Sequence, residues 1–196
     1  EYFDQWYFPT YPSHATNAGI HAYDGKLEDY SYRGIAARVQ ALHGYEQRFA
    51  AIDAGTLSGQ VAGDRELLLG DIRSRLLDLE RIRGWEKDPD GYSSALASSA
   101  FTIMSRRFAA PELRLQRLIE RERQMPAVLQ YARVNLRDPP AVYTETALMQ
   151  LPGLVEFFRR DVPAAFAEVK DPQLLAQFAG TNAAVIAALE SYRDWL

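Results

Sequence analysis

Apolar residues recur at intervals of three and four along most of this chain, and no segment alternates in the manner of a half-buried strand. That spacing gathers them on one side of a helix, and a stripe of this kind must be buried against another element. Ile35, Val39, Leu42, Tyr45, Phe49 and Ile52 predict a helix over 32–52, ended by Asp53-Ala54-Gly55. Ser58 is placed to cap a second helix over 59–82, with Leu68, Ile72, Leu76, Leu79 and Ile82 as its stripe. A short loop separates the two, so a long antiparallel hairpin is expected. A turn-rich connector follows over 84–92, then a helix rich in Ala and Ser over 93–108. Pro111 opens another helix, and Pro126 breaks or restarts it. Leu148, Leu151, Val155 and Phe158 predict a helix over 143–160, kinked or broken at Pro152. Pro163 begins a short segment, and Asp171-Pro172 is a cap with a first-turn proline for the last helix. Its inward residues are Leu175, Phe178, Val185, Leu189 and Tyr192, and Gly180, Ala183, Ala184, Ala187 and Ala188 give a small-residue surface for close packing. The expected fold class is all-α: an antiparallel bundle of about seven to nine helices, with a long hairpin, in one domain over 1–196.

The totals narrow the function classes. A chain of 196 residues can bury roughly 70% of its unfolded surface and needs no staple. It has no cysteine, which excludes disulfides and thiolate metal sites. A net charge of −4 argues against general nucleic-acid binding. No apolar run reaches the ~20 residues that span a bilayer. No signal peptide is visible; the first residue is Glu1, and removal of a leader or earlier segment is the expectation. The apolar Trp195-Leu196 ending suggests a protein that continues. At the other end, Tyr2, Phe3, Trp6, Tyr7, Phe8 and Tyr11 read as the last turns of a helix stopped by Pro9, with rings in the core rather than on a substrate-facing wall.

Residues 11–31 are the long stretch without a helical period. Pro12 to Ala18 can make a short helix with Gly19 as its left-handed stop, Gly25 sits in a turn, and Ser31 is placed to cap the helix that follows. The stretch holds His14 and His21 and the cluster His21-Ala22-Tyr23-Asp24. Imidazole, phenol and carboxylate so close can orient one another and exchange protons; they can equally tie a long loop to its neighbours. His21, Tyr23 and Asp24 are therefore the candidate substrate-binding residues. Nothing else offers chemistry. There is no H-E-x-x-H, no G-x-S-x-G and no phosphate-cradling glycine loop, so no catalytic residue and no metal ligand are assigned in this chain. Arg106-Arg107, Arg159-Arg160 and the series Arg114, Arg117, Arg121 could be anion patches, but interleaved glutamates favour a solvated, ion-paired face.

Pro12, Ala15, Thr16, Gly19, Ile20, His21, Tyr23, Asp24, Leu27, Asp29 and Ser31 together resemble the opening of a large bacterial family, domain-of-unknown-function family 885. The likeness continues through Ala51-Ile52-Asp53, Leu57-Ser58, Trp85, Asp88-Pro89, Tyr92, Met125-Pro126, Ala132, Asn135-Leu136 and Pro139-Pro140, and reaches Tyr192, Trp195 and Leu196. Members resembling it are usually longer, largely helical, and often exported or lipid-anchored. Their C-terminal portions carry H-E-x-x-H and look like zinc metallopeptidases. The resemblance thus implies an N-terminal helical part, non-catalytic by itself, that walls a substrate cleft and packs on a C-terminal catalytic region. Zinc would belong to the full-length parent and no cofactor to this chain. The implied partners are that region and a peptide substrate, and the implied location is periplasmic, lipid-anchored or secreted. The alternative is a self-standing helical binding or scaffold module.

Overall fold

The computed structural model describes all of Glu1–Leu196, and every regular element in it is helical. The principal helices are α1 (Pro12–Asn17), α2 (Tyr32–Ala50), α3 (Gly59–Leu76), α4 (Pro89–Ser105), α5 (Pro111–Glu122), α6 (Met125–Asn135), α7 (Ala141–Glu156) and α8 (Pro172–Trp195). Their contacts divide the chain into two compact units, one made of Glu1–Tyr30 with Trp85–Leu196, the other of Ser31–Gly84.

The smaller unit is the expected hairpin. Ser31 Oγ accepts the Gly34 N–H and so caps α2, while Asp53 receives the Gly55 N–H in the loop. The cross-links run in opposite order: Arg65 donates to the Phe49 and Ala50 carbonyls, Arg73 to Glu46, and His43 meets Glu80. Rising numbers on α3 pair with falling ones on α2, which makes the two antiparallel. Ile35, Leu42, Leu69, Ile72 and Leu76 are buried, but Ile52 and Ile82 are exposed against expectation. Ile52 lies beyond the last turn of α2. Ile82 ends a π-wound stretch, Leu77–Ile82, closed by Arg83 in the left-handed region at φ 56°. The wider π turn rotates each later residue off the α-helical stripe.

The larger unit is a helical bundle around one core. Leu96, Ile103, Leu115, Leu118, Met125, Val128, Leu151, Phe158, Val185 and Leu189 belong to it. Each such side chain contributes about 1.5–3 kcal/mol on full burial. Its first residues depart from expectation: Tyr2–Tyr7 is π-wound and runs into an α turn, Phe8–Thr10, so Pro9 does not end the helix. Pro9 stands at the start of that α turn, where a missing N–H costs little, and the Tyr11 N–H still reaches the Tyr7 carbonyl. Of the six rings there only Tyr2 and Tyr11 are buried; the rest pack edge-on and tilted against each other.

The connector expected over 84–92 is mostly helix: Gly84–Lys87 makes one turn, and α4 already starts at Pro89. Asp88 accepts the Asp90 N–H, the same cap-plus-proline device that opens α8. Pro152 neither breaks nor ends α7. It sits on the exposed side, where the carbonyl it leaves unbonded can be hydrated. Leu148 also faces outward, as do Gly180, Ala183, Ala184 and Ala187 of α8. Asp171 Oδ1 receives both the Gln173 and Leu174 N–H groups. Asp171→Ala is therefore expected to destabilise by about 1 kcal/mol, seen as a lower urea midpoint with unchanged slope.

Candidate functional site

The polar residues of the N-terminal stretch are built outward from α1. Ser13 gives its N–H and its hydroxyl to the Glu28 carboxylate, each at 3.0 Å, so a loop anion caps the positive end of α1. Gly19, at φ 84°, stops the helix, and a single 3₁₀ turn, His21–Tyr23, follows. That turn brings His21 and Asp24 together, with Nδ1 3.0 Å from Oδ2. The Thr16 hydroxyl donates to the other oxygen, Oδ1, at 2.7 Å. Asp24 is buried, whereas the His21 side chain keeps 38% of its exposure. The imidazole stacks on Phe108 with centroids 4.0 Å apart and planes at 15°. With Nδ1 given to Asp24, Nε2 is the nitrogen left for proton exchange or a ligand. Tyr23 joins neither bond; its ring meets the Lys26 ammonium at 5.7 Å.

One arginine holds this turn to the bundle. Arg121 of α5 is 0% exposed. Its Nε donates to the Asp24 carbonyl, Nη1 to the Ser99 carbonyl at 2.8 Å, and Nη2 to the Thr16 hydroxyl at 2.6 Å. Burial pulls its pKa down, against the raising influence of Glu28 and Asp24. A guanidinium keeps its charge through such a shift. Gln124 adds a second fastening: its amide donates to the Gly25 carbonyl at 2.8 Å and its oxygen receives the Leu27 N–H at 3.2 Å. The backbone comes so close here that a Cβ on Gly25 would lie 1.8 Å from Glu120 Oε2. Any side chain there would have to push the Glu120 carboxylate aside.

The arginine series of α5 is therefore not the solvated face that the interleaved glutamates suggest. Arg114 is also buried, donates to the Ile103 and Met104 carbonyls, and so covers the C-terminal end of α4. Glu122 is 0% exposed, held by the Thr181 hydroxyl and the Asn182 amide of α8. Burial pushes its carboxyl up to about 7, and the two hydrogen bonds work the other way. Arg117 and Arg159 do follow the ion-paired reading, with Glu120 and Glu156.

A signal for the burial of Arg121 was present. Leu118, Arg121, Met125, Val128 and Ala132 continue one spacing of three and four, so Arg121 occupies a stripe position in spite of its charge. Thr16 and Gln124 carry no such signal, because their partners lie far away in sequence.

Chemically, an imidazole bonded to a carboxylate, as His21 is to Asp24, can hold and pass a proton. The hydroxyl beside this pair, that of Thr16, is fully buried and engaged by Asp24 and Arg121. No group of three His, Asp or Glu side chains is arranged to hold a metal ion, and zinc takes at least three such ligands. The residues of this chain do not fit a zinc site of their own. No helix is long and apolar enough to cross a membrane.

The fold has a solved counterpart. A proposed lipoprotein of unknown function from Shewanella oneidensis superposes with a TM-score of 0.86 at 23% identity. The match covers 96% of this chain and 34% of that one, so the chain spans about a third of the length of the protein it matches. No curated protein matches it. The family model described as "Bacterial protein of unknown function (DUF885)" matches residues 12–196, from the first residue of α1 to the last of α8 and beyond it to Leu196. This helical chain, with its arginine-anchored His-x-x-Asp turn, belongs to that family.

Proposed function

We propose that the chain is the N-terminal helical part of a longer zinc-dependent peptidase-like protein, exported or lipid-anchored, and that it is non-catalytic by itself. It walls one side of a substrate cleft, with His21 and Tyr23 toward the substrate and the buried Asp24 holding His21 from behind, and packs on a C-terminal region that carries the metal. The observation that carries this reading is the unequal match: nearly all of this chain corresponds to a third of a solved relative. A bare apolar face agrees with it. Met149 is 80% exposed, and Val142 and Tyr143 lie open on the same helix, α7. Faces of that kind are usually covered.

The 196-residue chain is expected to hydrolyse no peptide and to bind zinc without stoichiometric tight affinity. A longer member of the family should hydrolyse peptides and lose that activity to a chelator. Adding the remainder of the protein should slow amide hydrogen exchange on α7. Tight one-to-one zinc binding by this chain, or a remainder that protects nothing, would contradict the proposal.

A further inference from the structure

A second polar feature lies beside the His21 turn and is separate from its hydrogen bonds. Ala22, Gly25 and Lys26 face Arg117, Glu120, Arg123 and Gln124 across an open cleft of about 350 Å³. That size falls at the lower end of small-molecule sites, which run from roughly 300 to 1,000 Å³. It exceeds what a bare inorganic ion fills.

The charge in the cleft is unbalanced. Glu120 is engaged on both oxygens by Arg117 Nη1, at 3.0 and 2.9 Å. Lys26 has no carboxylate partner and rests on the Tyr23 ring. Arg123 donates only to the neutral Gln177 amide oxygen, at 2.8 Å. Three cations and one anion leave the cleft with two positive charges, in a chain whose net charge is −4. Its walls are also fixed: Gln124 fastens Gly25 and Leu27 to the α5–α6 junction, and Arg121 fastens Asp24 from beneath. A rigid cleft with unpaired cations gathers anions, and guanidinium groups grip oxyanions in particular.

We infer that this cleft binds a small organic dianion, with the Lys26 ammonium and the Arg123 guanidinium as its two anchoring charges. A dicarboxylate and a phosphate monoester share that chemistry. The inference does not depend on the peptidase reading, since it concerns the charge balance of this chain alone.

The test is a titration of the chain with succinate and, separately, with phenyl phosphate, at constant ionic strength, followed by amide chemical shifts. At least one should give saturable shifts centred on residues 22–26 and 117–124. The tighter of the two identifies the source of the dianion. Lys26→Gln with Arg123→Gln should weaken binding at least about tenfold, equivalent to 1.4 kcal/mol, with an unchanged melting temperature, because both side chains are exposed. Glu120→Gln should tighten binding, since it removes the only anion in the cleft. The inference is overturned if neither ligand saturates below about 10 mM, if chloride or inorganic phosphate binds as well as the organic ligands, or if the double variant binds like the parent.

Discussion

Arg121→Met should lower the unfolding free energy by about 3–5 kcal/mol, as expected when one partner of a buried charged network is deleted. Methionine fills much of the same volume, so the loss is electrostatic rather than a cavity. Three acceptors lose their donor at once: the Asp24 carbonyl, the Ser99 carbonyl and the Thr16 hydroxyl. The buried Asp24 carboxylate also loses the nearby positive charge. Domains of this kind have only about 5–15 kcal/mol in total, so urea denaturation should show a large fall in midpoint. Arg121→Lys restores the charge without the fork, because one ammonium cannot span three separate acceptors. It should fall between the parent and the methionine variant. Hydrogen exchange should localise the damage to the amides of residues 16–27.

The second large effect is a pH dependence carried by Glu122. Its folded pKa is about 7 against an ordinary 4.5, and the main cause is burial. Below pH 4.5 both the folded and unfolded chains hold the proton, and the group is neutral in its effect. Between 4.5 and 7 the unfolded chain releases the proton while the folded one retains it, so stability falls as pH rises. Above about 7 the full penalty stands, about 3 kcal/mol. Glu122→Gln removes the titration and keeps an oxygen for the Thr181 hydroxyl. The stability of this variant relative to the parent should rise by about 3 kcal/mol between pH 4.5 and pH 8. A constant difference across that window would mean that Glu122 is ionised at ordinary cost.

These two residues also mark where the sequence is hard to read. The hairpin of α2 and α3 and the entry to α8 follow from periodicity and from the caps at Ser31 and Asp171, both local signals, whereas Ser58 stands at the N-cap position of α3 without the expected side-chain bond. Gly19 and Ser31 behave as their residue types dictate. Asp88-Pro89 carries the same signal as Asp171-Pro172, yet the glycine and charges around it resemble a turn. The π-wound stretches have no local signature, and Ile82 is displaced by one of them. Arg121 and Glu122 sit among alternating charges that read as a solvated face. Their burial depends on Thr16, Ser99 and Asn182, residues brought up by the fold from distant parts of the chain. His21 and Asp24 are legible as a polar pair because they lie three apart; of the anchor that orders them, the sequence shows only a charge on an apolar stripe, not its partners.

The measurement that bears most directly on this account is a double-mutant cycle of Arg121→Met with Thr16→Val. The hydroxyl of Thr16 stands between the guanidinium and the Asp24 carboxylate, so the two substitutions should be strongly non-additive, with a coupling of about 1–3 kcal/mol. Additivity within about 0.5 kcal/mol would mean that the buried cation does not hold the His21–Asp24 turn, and the account given for this site would fail.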